Sequence, residues 1–303
     1  MQNVDGRVAF ITGGASGIGL GIARAFAAAG VRLMLADMRD DRLAEAAASL
    51  TSAGTEVATI KVDVADRVAM AAAAARTVER FGKVHIVVAN AGVGVIGRVR
   101  DARYDDWDWS NAVNLGGVVN TVQEFLPLLR RQGEGGHLVA TASMGGLTPV
   151  PHGGVYSVQK AAVVAIMEAL YTELAAEGIH ASVICPGMTR TNIAETLALR
   201  PTHFSDHGIR LAPPPQAVAA SGPGPMALAM DPTELGERVL KGILANDLYI
   251  LTHNEFAEQI REQFEPILAA MPKEEPAMGP AAAGGVKFSA YERVLKARGT
   301  SVQ

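Results

Sequence analysis

The 303 residues point to an α/β protein built on one doubly wound parallel sheet with helices on both faces. Short β-branched and aliphatic runs, the first of them apolar at every position, alternate with longer stretches of helical period from residue 8 to residue 185. Strands covered on both faces, joined by crossover helices, need that alternation. The first run passes through a glycine-rich turn straight into a helical pattern. Hydrophobic residues make up 49% and charged residues 19%, which supplies a core and excludes a disordered chain.

Val8-Ala9-Phe10-Ile11 reads as the first buried strand, and residues 17–29 as a helix that ends at Gly30. Strand 33–36, helix 40–53, strand 57–62, helix 67–81 and strand 84–89 follow by the same pattern. Residues 104–131 read as one long helix with Pro127 inside it, where a kink is expected. Strand 138–142, helix 156–176 and strand 181–185 complete the run, joined by right-handed crossovers.

The pattern then breaks. Residues 200–232 carry seven prolines, so 192–232 reads as a long lid rather than a core element. Order returns at Asp231-Pro232-Thr233-Glu234: a cap residue, a proline at the first helical position and a glutamate three residues after the cap. Leu235 to Leu244 continues that helix, 248–251 is a last strand and 256–271 is amphipathic. The expected organisation is one domain over 1–253, with a helical extension over 254–303 packed on it.

Several function classes drop out early. The 27 basic and 31 acidic residues leave a net charge of −4, whereas a nucleic-acid partner asks for a basic face. No apolar run approaches the roughly 18 residues of a membrane span, and the run 8–11 is too short for a signal peptide. One cysteine, Cys185, excludes an internal disulfide framework, and a cytoplasmic protein is expected. No His, Cys or Asp cluster has ligand spacing, so no catalytic metal is expected.

The chemistry starts at Thr12-Gly13-Gly14-Ala15-Ser16-Gly17-Ile18-Gly19. Glycines where a strand turns into a helix permit a tight turn and let backbone N–H groups approach a pyrophosphate. Ser16 and Ile18 share that turn. Asp37 ends the second strand, where a carboxylate accepts hydrogen bonds from a ribose 2′-hydroxyl and repels a 2′-phosphate. That favours NAD over NADP, although Arg39 would reach a phosphate if Asp37 turned away.

With these residues in place, the chain resembles the short-chain dehydrogenase/reductase family, whose TGxxxGxG signature is matched at 12–19. Asp63-Val64 matches the family's adenine-contacting pair. Asn90-Ala91-Gly92 matches its NNAG turn, with Ala89 in place of the first asparagine. Asn114, Ser143 and Tyr156-Ser157-Val158-Gln159-Lys160, a YxxxK, follow in order. Pro186 to Thr191 matches the stretch that holds the nicotinamide carboxamide. The resemblance implies a Rossmann-like fold. It makes Gly13, Ser16, Gly17, Ile18, Gly19, Asp37, Asp63, Val64, Asn90, Tyr156, Lys160 and Thr191 the cofactor-binding residues, and Asn114, Ser143, Tyr156 and Lys160 the catalytic ones.

In that scheme Tyr156 is the base for an alcohol proton, although a free tyrosine titrates near ~10. A lysine one helical turn on, about 4 Å away, contributes about 4 kcal/mol at an effective dielectric of about 20. Lowering the phenol by about three units requires a similar amount. Ser143 would hold the substrate oxygen, and Asn114 a water linking Lys160 to solvent. His152 reads as a loop or pocket-wall residue.

Val95, Ile96, Met144 and Leu147 suit a bulky hydrophobic alcohol or ketone better than an anion. The segments 104–109, 191–195, 199–201 and 246–250 also resemble the bacterial Cα-dehydrogenases of lignin β-aryl ether catabolism, which oxidise a benzylic secondary alcohol with NAD. Trp107 and Trp109 would stack on an aryl ring or serve as packing residues. Family members pair two helices across a two-fold axis. The apolar positions Val118, Val122, Phe125, Val163, Ile166 and Leu170 therefore imply a homodimer or homotetramer, unless they lie on the sheet. The expected function is NAD-dependent interconversion of an aromatic secondary alcohol and its ketone. An NADPH-dependent ketone reductase and a non-catalytic dinucleotide sensor are the alternatives.

Overall fold

A computed structural model of the chain describes residue 1 and residues 3–149, 153–204 and 229–273. His152, most of the proline-rich stretch and the end of the extension lie outside the described residues.

β1 (Val8–Thr12), α1 (Gly17–Ala28), β2 (Arg32–Asp37), α2 (Asp40–Ser52), β3 (Val57–Lys61), α3 (Arg67–Phe81) and β4 (Ile86–Ala89) alternate as the pattern requires. After them come α4 (Tyr104–Ser110), α5 (Gly117–Gln132), β5 (Gly136–Thr141), a single turn α6 (Met144–Leu147), α7 (Gly154–Glu173), β6 (Ile179–Cys185), α8 (Pro232–Ala245) and β7 (Tyr249–Leu251). The seven strands form one sheet in the order β3-β2-β1-β4-β5-β6-β7, every pair parallel. Strand order reverses between β1 and β4, where Ala9 pairs with Ile86 and Ile11 with Val88. In such sheets the crevice beyond the carboxyl ends at the reversal is the natural ligand site.

Side chains alternate across β1, so each face gets its own core. Ala9 and Ile11 pack with Ile22 and Phe26 of α1 and with Leu235 and Val239 of α8. On the opposite face the rings of Phe10 and Phe125 stack with centroids 4.2 Å apart. Val118, Val122, Phe125, Val163 and Leu170 are buried within the single chain, as packing on the sheet requires, while Ile166 is half-buried. Of the large apolar residues on those helices, Val119 and Val158 are exposed, at 37% and 51%.

Two local features depart from the sequence reading. Residues 104–132 are helical throughout, but the irregularity is a π-helical stretch at Asn111–Gly116 rather than a kink at Pro127. At α8, Asp231 accepts from the Thr233 N–H at 2.8 Å, as a cap should. Glu234 does not complete a capping box. It takes the Arg238 guanidinium at 2.7 Å, one turn on.

Met1–Thr252 form one compact unit and His253–Gln303 a second. The second contributes helix α9 (Ala257–Ala269) to the described residues. No described helix is long and apolar enough to cross a membrane.

Candidate active site

Thr12 closes β1, and the chain turns at Gly13 with φ +62° before α1 begins at Gly17. Gly19 leaves the space that the turn needs: a Cβ there would fall 2.1 Å from the Gly13 carbonyl oxygen. Ser16 caps α1 without a side-chain bond to it. The first N–H groups of α1 thus remain available to an anion, at the positive end of the helix. A cavity of about 650 Å³ opens over this turn.

At one end of the cavity lies Asp37, the last residue of β2. Its carboxylate accepts the Ala15 N–H at 3.3 Å and the Arg39 N–H at 3.1 Å. Burial pushes it above the ordinary carboxylate value, against the pull of those hydrogen bonds. The Arg39 guanidinium is turned away into a two-pronged pair with Asp41, at 3.0 and 2.5 Å. Asp63 and Val64 line the same end. Asp63 Oδ1 accepts the Ala65 N–H at 2.9 Å.

Asn90 ties the floor together. Its amide donates to the carbonyls of Thr12 at 3.1 Å and Gly13 at 3.3 Å. Its own oxygen accepts from Thr141 Oγ1 at 3.0 Å. Thr12 Oγ1 in turn accepts the N–H groups of Asn90 and Ala91. The carboxyl ends of β1, β4 and β5 are thereby joined through side chains. Asn90 borders the cavity, yet its amide is spent on the turn. The partnership of Thr12 and Thr141 with Asn90 escaped the sequence reading, since only the sheet order brings the three together.

Ser143, Tyr156 and Lys160 meet at the middle of the cavity. Ser143 caps α6, its Oγ accepting the Gly145 N–H at 3.1 Å, and its hydroxyl hydrogen-bonds the Tyr156 phenol. Burial pushes the phenol above its ordinary value of 10, and the Ser143 bond opposes this. Lys160 lies one turn along α7, with Nζ 5.6 Å from the centre of the phenol ring. Nζ donates to the Thr141 carbonyl at 2.7 Å. Burial brings this ammonium down to about 8. The sequence argument has Lys160 making the phenol acidic, but in this arrangement desolvation of both groups outweighs that attraction. Cys185 lies close behind the pair, its thiol pushed up to about 12 by burial.

Asn114 stands in the π-helical stretch, fully buried and outside the cavity wall. Its Oδ1 accepts the Val93 N–H at 2.8 Å. Its Nδ2 donates to the Val93 carbonyl at 3.0 Å and to Ser110 Oγ at 3.1 Å. Both amide hydrogens are used, so the side chain braces the loop after β4 and has none to offer a water. Ser110 Oγ donates to Gln159 at 3.0 Å, which carries the brace across to α7.

Thr191 and Asn192 close over the glycine turn. A Cβ on Gly17 would lie 3.2 Å from the Thr191 side chain, and Ser16 Oγ donates to Asn192 Oδ1 at 3.2 Å. The far end of the cavity is apolar, walled by Val93, Trp109, Val113, Met188, Ile193 and Phe204. Trp109 is both packing residue and wall, 2% exposed within a cluster of Val93, Val95 and Val155. Among the described residues no group of three or more His, Cys, Asp or Glu side chains is placed to hold a metal.

The glycine turn that a Cβ would fill, the carboxylate at the second strand and the Tyr156–Lys160 pair lining the cavity together fit a dinucleotide. Fold and site define an oxidoreductase that works with a nicotinamide dinucleotide. The short chain dehydrogenase family model matches residues 7–201, and the chain belongs to that family. It is 36% identical over 269 residues to a C alpha-dehydrogenase of Sphingobium sp. strain SYK-6, covering 88% of this chain and 87% of that one. A short chain dehydrogenase/reductase from Burkholderia phymatum, solved in complex with NAD, superposes with a TM-score of 0.80 at 33% identity. That match covers 92% of this chain and 100% of the other. The apo form of LigD from Sphingobium sp. strain SYK-6 gives 0.74 at 32% identity, covering 90% and 100%.

Proposed function

We propose that the protein interconverts a bulky aromatic secondary alcohol and its ketone, with NAD as the hydride partner and Tyr156 as the proton-transfer group. The observation that carries this reading is the Ser143–Tyr156 hydrogen bond, set between the glycine turn and an apolar wall containing Trp109.

Backbone N–H groups around Gly13, Ser16, Gly17, Ile18 and Gly19 would hold the pyrophosphate, and Asp37 the adenosine ribose. Asp63, Val64 and Asn90 would border the adenosine half, with Thr191 and Lys160 toward the nicotinamide half. When bound, the oxidised nicotinamide supplies the hydride acceptor and a positive charge. In oxidation Tyr156 Oη takes the hydroxyl proton; in reduction the neutral phenol returns it to the ketone oxygen. Ser143 Oγ, fixed by the Gly145 N–H, donates to that oxygen as charge develops on it. Lys160 opposes the cost of a buried phenolate, and Asn114 holds the Val93 loop that faces the reacting atoms.

NAD is favoured because Arg39 is engaged by Asp41 while Asp37 keeps its place at the strand end. The second reading, an NADPH-dependent ketone reductase, draws on Arg39 and Arg42 at that same end of the cavity. The aromatic substrate is favoured by the wall and by the resemblance of segments 104–109, 191–195, 199–201 and 246–250 to the Cα-dehydrogenases. We place the protein in the cytoplasm, on its single buried free cysteine, and as a homodimer or homotetramer, on its family.

The test is a panel of aryl, alicyclic and short aliphatic secondary alcohols with NAD and NADP, followed by reduced-nicotinamide absorbance. Aryl alcohols with NAD should turn over fastest. Tyr156→Phe should keep NAD affinity and lose oxidation by roughly 10³-fold or more. Full turnover by that variant defeats the mechanism, and preference for short aliphatic alcohols defeats the substrate class.

A further inference from the structure

We infer that Arg200 is a positioning residue for substrate: it latches the wall formed by residues 193–204 to α4 and so sets the width of the apolar end of the cavity. The inference rests on the proposed reading of that end as the substrate site.

Ile193, Leu199, Pro201, His203 and Phe204 all face the cavity. They belong to a 3-10 helix, Ile193–Leu199, and the turn after it, a segment too short to hold itself in place. Arg200 sits among them with its side chain 10% exposed. Its Nη1 donates to Asp106 Oδ1 at 2.7 Å, and its Nη2 faces Asp105 Oδ2 at 3.5 Å. Asp106 is fully buried, and its second oxygen accepts the Arg103 N–H at 3.0 Å.

The guanidinium carbon lies 5.4 Å from the centre of the Trp109 ring. Trp109 lies four residues after Asp105 and three after Asp106 on α4, so that side of the helix presents two carboxylates and the indole together. Trp109 also forms part of the cavity wall. One cation therefore fixes both walls, gripping α4 through charge while covering the indole that a substrate would meet.

A buried ion pair is weak grounds for extra stability, because apolar residues fill such space as well. What it supplies is geometry. One guanidinium nitrogen is fixed on Asp106 by a hydrogen bond while a second is set beside Asp105, so the planar cation is oriented, and losing it leaves the buried Asp106 carboxylate uncompensated. Methionine at 200 keeps the length and loses the latch. Lysine keeps the charge and loses the planar fork.

The experiment compares the parent with Arg200→Met, Arg200→Lys and Asp106→Asn by steady-state kinetics, NAD binding and amide hydrogen exchange over residues 193–204. For the best aryl alcohol of the panel, KM should rise roughly tenfold or more in Arg200→Met while kcat falls less than about threefold. NAD affinity should stay at the parent value, and exchange over 193–204 should speed up. Arg200→Lys should fall between parent and Arg200→Met in both KM and exchange.

Unchanged exchange, or faster exchange with unchanged KM, overturns the latch. If Arg200→Met loses NAD binding it has misfolded, and Arg200→Lys and Asp106→Asn decide by the same criteria. A parent inactive on every aryl alcohol overturns the substrate reading instead. The exchange arm, which needs no substrate, then decides the latch alone.

Discussion

The Lys160 ammonium lies 5.6 Å from the centre of the Tyr156 ring while it donates to the Thr141 carbonyl at 2.7 Å. Lys160 is buried and Tyr156 half-buried beside it, and desolvation moves them in opposite directions: the phenol up, the ammonium down to about 8. Near neutral pH the phenol is therefore in its protonated form, ready to give a proton rather than take one.

Direction and pH are coupled as a result. Oxidation needs the phenolate, so kcat/KM for the alcohol should climb between pH 6 and pH 9 (roughly, the range below the ordinary phenol value). Ketone reduction uses the phenol as it stands and should stay flat over the same range. Paired pH profiles in both directions check this; faster oxidation at the acid end defeats it.

Lys160 also makes a stability prediction. Its folded value of about 8 lies below the ordinary 10.5, so between those limits the unfolded chain binds more protons and stability rises with pH. The gain from this group is about 3 kcal/mol at ~1.4 kcal/mol per unit. Tyr156 and Cys185, both shifted upward, act with the opposite sign at higher pH. Comparison with Lys160→Met isolates the lysine. Any stability advantage of that inactive variant should be greatest near pH 7 and shrink toward pH 10.5, read from urea midpoints.

Asp37→Ala should lower kcat/KM with NAD roughly tenfold or more and narrow the gap to NADP. Arg39, still gripped by Asp41, should limit how far preference swings. The double change with Asp41→Ala should swing it further. Rates with both dinucleotides at matched concentrations measure the effect, and a parent that prefers NADP sinks the ribose argument.

Asn114→Ala strips three buried hydrogen bonds and leaves the Val93 N–H and carbonyl without their partner. It should cost about 2–4 kcal/mol, seen as a lower thermal midpoint. Faster amide exchange in the loop after β4 should accompany it.

The strand and helix succession was readable because each parallel strand is built round a short run of aliphatic residues and each helix keeps its period. Gly13, Asp37, Ser143, Tyr156 and Lys160 were readable because their motifs are local. What joins distant segments was not. The Thr12–Asn90–Thr141 tie and the Ser110–Gln159 bond depend on strand order and helix pairing. Nothing near any one of those residues in the chain signals a partner. The π-helical stretch had a weak signal in Gly116-Gly117, a pair of the kind found where helices lose regularity. Pro127 drew attention away from it. For Asn114 the motif is local, but the contacts of its amide depend on the Val93 loop folding back on it.

The tie among Thr12, Asn90 and Thr141 has a thermodynamic consequence. Three strand ends are fastened by the protein's own side chains before any dinucleotide arrives, so its docking site is preorganised on that side and little affinity is lost to ordering it. The opposite bank is joined to the turn through the Ser16–Asn192 hydrogen bond, a contact beside the N–H groups that an anion would use. Calorimetry should therefore find loading responding to changes at Asn192 far more than to conservative changes beneath the glycine turn.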